Sequence, residues 1–169
     1  MKKLLLCVAA ATTLLTACSK NDDKQPGDNY FTVDGSSFTT TNGLLQNFGP
    51  DLGELWFSSI PLSATANGKI DLVYFEVDTL ISGQTYTYMP ADSSAFDRKK
   101  HFSEAGFVYN GKITTGEIDE NEGTVDLEIK SGTLTVNKQG DDYTIDYNLL
   151  FKSSKTVKGN YKGKIRVTD

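Results

Sequence analysis

Two cysteines, one histidine and one tryptophan occur in 169 residues. That scarcity removes much chemistry at once. Zinc sites draw on several thiolates and imidazoles, and a Ser–His–Asp or Cys–His device needs a usable histidine. The lone His101 sits in Arg98-Lys99-Lys100-His101-Phe102. With no second imidazole to share a metal, it reads as a solvated loop residue. No glycine-rich phosphate loop, Gly-x-Ser-x-Gly elbow or His-Glu-x-x-His is present, so no cofactor and no metal are implied. Two carboxylates suffice for glycoside hydrolysis, but nothing local marks such a pair among the 22 acids. The chain is therefore read as non-enzymatic. Excess positive charge is also lacking: the net charge is −5 and the pI about 4.9, which argues against nucleic acid as a partner.

Long apolar runs are missing except for Leu4–Leu15, interrupted by Thr12 and Thr13 and preceded by Lys2 and Lys3. This run is too short for a permanent membrane span and has the build of a secretory signal. Leu15-Thr16-Ala17-Cys18 follows and resembles a bacterial lipobox. The resemblance implies cleavage before Cys18, diacylglycerol on its thiol and a further acyl chain on the new amino terminus. Several chains make anchoring stable where one would be marginal. Residues 1–17 are then a removed leader, and losing Lys2 and Lys3 takes the net charge from −5 to −7. Residues 18–29 form a polar, lipidated tether with Pro26 and Gly27, and 30–169 one domain. Ser19 rather than Asp follows the cysteine, so an enterobacterial inner-membrane retention signal is absent. Ser19-Lys20-Asn21-Asp22-Asp23-Lys24 resembles the Lys-plus-acidic export tag of Bacteroidota surface lipoproteins, with Asn21 interrupting it. The expected location is the outer membrane, lipid-anchored, facing either the cell surface, the favoured side, or the periplasm.

Beyond residue 17 alanine is scarce, five residues, against sixteen threonines, eighteen aromatics and fifteen glycines. That is strand and turn composition. Asp34-Gly35 predicts a type I′ hairpin with Phe31 opposite Phe38. Leu44–Gly53 reads as irregular, Glu54–Ile60 and Lys69–Val77 as strands, Thr85–Tyr88 as a short strand, and 89–102 as a loop with one helical turn near Phe96. Ala105–Thr115 reads as a strand pair or one bent strand. From Val125 onward, apolar and polar residues alternate through Val125–Lys130, Thr133–Asn137, Tyr143–Phe151 and Val157–Val167. Sustained period two means one buried and one wet face, as antiparallel sheets allow. Ser131-Gly132 is either a turn or a bulge. Gly159 and Gly163 share the apolar face with Tyr161, which predicts aromatic rings lying over facing glycines. The fold class is all-β. An antiparallel β-sandwich with a C-terminal meander leads, and a lipocalin-like up-and-down barrel is the alternative.

Phe31-Thr32-Val33-Asp34-Gly35, Gly132-Thr133-Leu134-Thr135-Val136, Tyr143-Thr144-Ile145-Asp146-Tyr147 and Gly159-Asn160-Tyr161-Lys162-Gly163 together resemble a group of functionally uncharacterised Bacteroidota lipoproteins. Those pair a lipobox with one small all-β domain. The resemblance implies fold and location rather than activity.

Three features are candidates for contact with a ligand. Among the aromatics outside the meander, Trp56, Tyr86 and Tyr88 could stack on sugar faces, although core packing is the commoner use of such rings. Lys158, Lys162, Lys164 and Arg166 share the wet face of the last strand and could meet anionic glycan or headgroups; cross-strand pairing with Asp146, Asp126 and Glu128 is the plainer account. The acidic stretch Glu117–Gly123 reads as a solvated hairpin tip, because no frame fits an EF-hand calcium loop. Asp78-Thr79-Leu80 matches a three-residue O-glycosylation pattern of Bacteroidota, which would make Thr79 an acceptor. The expected function is a non-catalytic surface module binding a glycan or protein, with a barrel-type carrier of an apolar ligand and a structural envelope protein as alternatives.

Overall fold

The computed structural model describes residues 27–49 and 52–168; Cys18, the leader and most of the tether lie outside the described residues. Asp34 and Gly35 take positive φ, 51° and 80°, as a two-residue type I′ turn requires. They join β1 (Tyr30–Val33) to β2 (Ser36–Thr39). Phe31 stands opposite Phe38 as predicted, and the two rings stack at 5.2 Å.

Eleven further strands follow: β3 (Asn42–Gly49), β4 (Leu52–Ser58), β5 (Gly68–Glu76), β6 (Gln84–Tyr88), β7 (His101–Phe102), β8 (Glu104–Thr114), β9 (Glu117–Asp119), β10 (Thr124–Asp126), β11 (Ile129–Gln139), β12 (Asp142–Phe151) and β13 (Thr156–Thr168). They pair in the order β10-β8-β5-β4-β3-β13-β12-β11-β6-β7, with β9 beside β8, and β1 between β13 and β2. The two ends of this order do not meet, so the sheet is open and the barrel alternative falls. The sheet is mixed: β13 runs parallel to β3, and β6 to β7, while the other pairings are antiparallel.

The long last strand turns one ladder into two layers. Thr156–Lys164 of β13 pairs with β12, whereas Ile165–Thr168 pairs with β3. Just before the change of partner, Gly163 takes φ 148°, a conformation open to glycine and strained for other residues. The two layers then face each other through rings. Phe57 on β4 stacks on Tyr147 of β12 at 5.8 Å and on Tyr161 of β13 at 4.6 Å. Phe75 on β5 meets Tyr147 edge-on at 5.3 Å, and Phe107 on β8 meets Phe151 of β12 at 4.8 Å. Apolar burial between two layers is the main favourable term for such a fold. Tyr147 lies over Gly159, its direct partner across the ladder, where a Cβ would come nearer than 3.0 Å to the ring. The predicted aromatic-over-glycine packing holds there. Gly163 instead has the hydroxyl of Tyr161 as its nearest neighbour.

Four boundaries differ from expectation. Leu44–Gly49 is strand rather than irregular chain, with one register shift between Asn47 and Gly49, because β3 fills the place between β4 and β13. Val125–Ile129 is not one strand. The chain leaves β8 after Asp126 and joins β12 at Ile129, exposing Leu127 at the crossing. The sequence alternates through this jump, yet Val125 is half-buried, Leu127 exposed and Ile129 buried. Ser131-Gly132 is not a turn: both residues pair with β12, and the bulge falls just before them, at Lys130 between Ile129 and Ser131. The segment near Phe96 forms turns rather than a helix; Phe96 N–H donates to Ser93 C=O and Lys100 N–H to Asp97 C=O.

Candidate functional site

Strands β4, β5 and β8 send Leu55, Phe57, Val73, Phe75, Ala105 and Phe107 inward. The alternate residues therefore face outward. Register aligns these outward residues into two adjacent rows. Glu54 stands opposite Glu76, and Glu76 opposite Glu104; Trp56 stands opposite Tyr74, and Tyr74 opposite Gly106. A row of three glutamates thus runs beside an aromatic row. Trp56 and Tyr74 stack at 5.0 Å with 27° between the ring planes. Tyr74 lies over Gly106, where a Cβ would come nearer than 3.0 Å to Tyr74 Cε1 and to Leu127 Cδ2. Gly106 is what lets the tyrosine ring lie flat on β8. Both rings are half-buried.

The outer face is only partly roofed. Ile60 and Leu62 from the β4–β5 connection, Ile118 of β9 and Val125 of β10 pack against a small cluster of Ile70, Leu72, Val108 and Ile113. Beside this roof Trp56 forms a wall shared by two clefts. One, about 410 Å³, is lined by Leu44, Leu62, Ile113, Ile118 and Arg166 as well as Trp56. The other, about 230 Å³, is lined by Trp56, Tyr74, Glu54, Glu104, Glu120 and Val125, among others.

The electrostatics of the second cleft follow from the like-charge row. Like charges directly opposite across a ladder destabilise it, by about 0.2–1 kcal/mol per pair. Desolvation raises the Glu54 carboxyl above its ordinary value, the indole of Trp56 opposes that, and the charges of Glu76 and Glu104 add to the rise. Burial and the same three carboxylates push the Tyr74 phenol up to about 12. Trp56 Nε1 is buried, and its N–H acts on the Glu54 carboxylate at less than full hydrogen-bond geometry. Among the described residues six ion pairs form, and none includes Glu54, Glu76, Glu104 or Glu120.

The candidates from sequence separate widely. Trp56 is on the outer face as described. Tyr86 is fully buried; its hydroxyl donates to Thr79 C=O and accepts from Ile81 N–H. It is a core residue that braces the β5–β6 loop, and its proposed ligand contact is corrected on that ground. Tyr88 shares its face and leans on Phe102 at 5.9 Å. Thr79 itself is exposed on the braced loop, next to Asp78, which pairs with Arg98 at 2.9 Å.

The basic stripe is dispersed. Lys162 pairs with Asp28 at 3.5 Å and Lys164 with Asp141 at 3.7 Å. Lys158 stands opposite Asn148, and Asp146 accepts from Asn160 rather than from a lysine. Arg166, beyond the bend at Gly163, donates to Leu62 C=O and lines the larger cleft. His101 Nδ1 accepts from the backbone N–H of Asp97 at 2.8 Å, which ties its turn. In the acidic stretch Asp119 Oδ1 accepts from the backbone N–H of Asn121, and Ile118 folds inward over the outer-face cluster. Among the described residues no three His, Cys, Asp or Glu side chains converge as metal ligands.

Sequence reading passed over Glu54, Tyr74, Glu76 and Glu104 as a group. Their signal is a pattern of spacing two in successive strands: Glu54-x-Trp56, Tyr74-x-Glu76 and Glu104-x-Gly106. It becomes visible only when the strands are laid antiparallel in register. No protein-family model matches this chain, and no curated protein or solved structure shows significant similarity to it.

Proposed function

We propose that this chain is a lipid-anchored outer-membrane protein whose β-domain is a non-catalytic binding module displayed at the cell surface. Its contact surface is the outer face of β4, β5 and β8. The lipobox at Leu15–Cys18 and the polar tether support the anchoring. One observation carries the binding role: the chain's single tryptophan is stacked on Tyr74 at 5.0 Å on a partly roofed outer face, where it walls two clefts. A ring pair, one ring of it held against a glycine, offers a rigid stacking surface at low entropic cost. Glycan is a fitting class of partner, because sugar C–H faces stack on rings and hydroxyls donate to carboxylates. The carrier reading loses its basis with the barrel, since packed rings occupy the space between the layers.

The test displays the domain on a glycan array and in envelope pull-downs, beside Trp56→Ala checked for folding by circular dichroism. Retention of a partner by the native domain and its loss in the variant is the expected result. No retained partner, or equal retention by both, overturns the proposal and leaves a structural envelope role.

A further inference from the structure

We propose that the cleft of about 230 Å³ between Trp56, Tyr74 and the glutamates is a site for an organic cation, an ammonium or guanidinium group carried on an apolar stem. This deepens the binding-module reading and rests on it, naming the chemistry of the ligand. Four observations converge. Glu54, Glu76 and Glu104 stand directly opposite one another on three neighbouring strands, an arrangement that costs the sheet stability unless positive charge offsets it. No cationic side chain supplies that charge within the cleft: its lining holds Glu54, Glu104 and Glu120 with rings and aliphatic groups, and no Lys or Arg. Lys152 lines the next groove with Glu76 and Glu104, and its ammonium is directed to Glu128 at 3.7 Å. Arg166 lies on the far side of Trp56 and is held by Leu62 C=O.

The aromatic pair completes the chemistry. A cation over the face of Trp or Tyr is attracted by the ring quadrupole, most strongly where water is partly excluded. Leu72, Val108 and Val125 give an apolar floor for a stem. A divalent metal fits less well, since it needs several oxygen ligands at short range and these carboxylates do not converge on one point. An organic cation needs only nearby charge and a ring face. The volume suits a group the size of a trimethylammonium with a short chain.

The experiment uses Trp56 as its own reporter, because it is the chain's only tryptophan. Emission of the intact protein is titrated with choline, and in parallel with its uncharged isostere 3,3-dimethylbutanol and with n-butylguanidinium, with sodium chloride matching ionic strength. The proposal expects a saturable change with choline or n-butylguanidinium and at least tenfold weaker response to the neutral isostere. It also expects tenfold weaker cation binding in Glu54→Gln and in Glu104→Gln, with a melting temperature equal to or above that of the native chain. A site lost while stability is kept or gained separates ligand binding from folding. Equal response to charged and neutral probes, no saturable response, or undiminished binding in both variants overturns it. A neutral oligosaccharide that shifts Trp56 emission where the cations do not would defeat the cation assignment yet leave the binding face standing. Silence from every probe, together with an empty array, defeats both.

Discussion

Tyr147 on the inner face and Tyr74 on the outer face use one device for opposite ends. Each ring lies over a glycine directly across the ladder, Gly159 for the first and Gly106 for the second. Tyr147 is closed in by Phe57 and Phe75 from the opposing layer, and burial pushes its phenol far up. Tyr74 has carboxylates and an incomplete roof for neighbours, so its ring is flattened against the sheet yet still reachable. A glycine under an aromatic is therefore neutral as to purpose. What stands around the ring decides whether it becomes core or surface platform.

The largest effect that separates the two faces is expected from Gly159→Ala. The added methyl would meet the Tyr147 ring with rings behind it and no room to yield. Overpacking a filled core costs about 3 kcal/mol, a fall of about 10 °C in melting temperature for a domain of this size. Calorimetry or urea denaturation measures it. Gly106→Ala tests the other side of the comparison. Tyr74 and Leu127 can swing toward solvent, so about 1 kcal/mol is expected. The diagnostic change is in Trp56 emission, because the displaced tyrosine no longer stacks on the indole. A loss at Gly106 as large as at Gly159, without any spectral change, would erase the distinction between the two faces.

The inner face was far more legible in the sequence than the outer. Phe31 opposite Phe38 followed from Asp34-Gly35 alone, because a two-residue turn fixes register locally. The ring over Gly159 followed from period two in two neighbouring segments. Alternation says in or out, however, and not which layer a strand joins. Hence Val125–Ile129 looked like one strand while crossing between layers, and the sandwich-like arrangement could not be told from a barrel. Asn42–Gly49 hid because Leu44 and Leu45 are adjacent and blur the period. The carboxylate row was illegible for a related reason: Glu54, Glu76 and Glu104 lie 22 and 28 residues apart and become neighbours only through register. Tyr86 misled because an aromatic at spacing two from Tyr88 looks the same from sequence whether that face is wet or dry.

Glu54→Gln sharpens the comparison by pH. The native Glu54 carboxyl is raised above its ordinary value of 4.5. Its contribution to stability is thus fully present below pH 4.5 and is lost as pH rises through the raised folded-state value. The side chain is half-buried, so screening limits the effect to a few tenths of a kcal/mol. Glu54→Gln should melt slightly higher than the native chain at pH 7 and show no advantage at pH 4. The Tyr74 phenol, held near 12 partly by the same charge, should ionise at lower pH in the variant, which ultraviolet difference absorbance reads. No inner-face tyrosine should respond.

Lys162→Gln with Lys164→Gln should do least, and that is its use. Both lysines sit on the wet face of β13, in ion pairs of 3.5 and 3.7 Å whose partners are as exposed as they are. Exposed pairs of this kind are worth less than about 1 kcal/mol together, since holding two long side chains in place offsets the screened attraction. The double variant should keep its melting temperature within about 2 °C. Its Trp56 emission and response to choline should be unchanged, because the charge removed lies on the other layer from the aromatic row. If removing these lysines instead abolished retention of a surface partner, the contact face would be β13 and not the outer face of β4, β5 and β8. The contrast drawn between Tyr147 and Tyr74 would then describe two pieces of scaffold rather than a scaffold and a site.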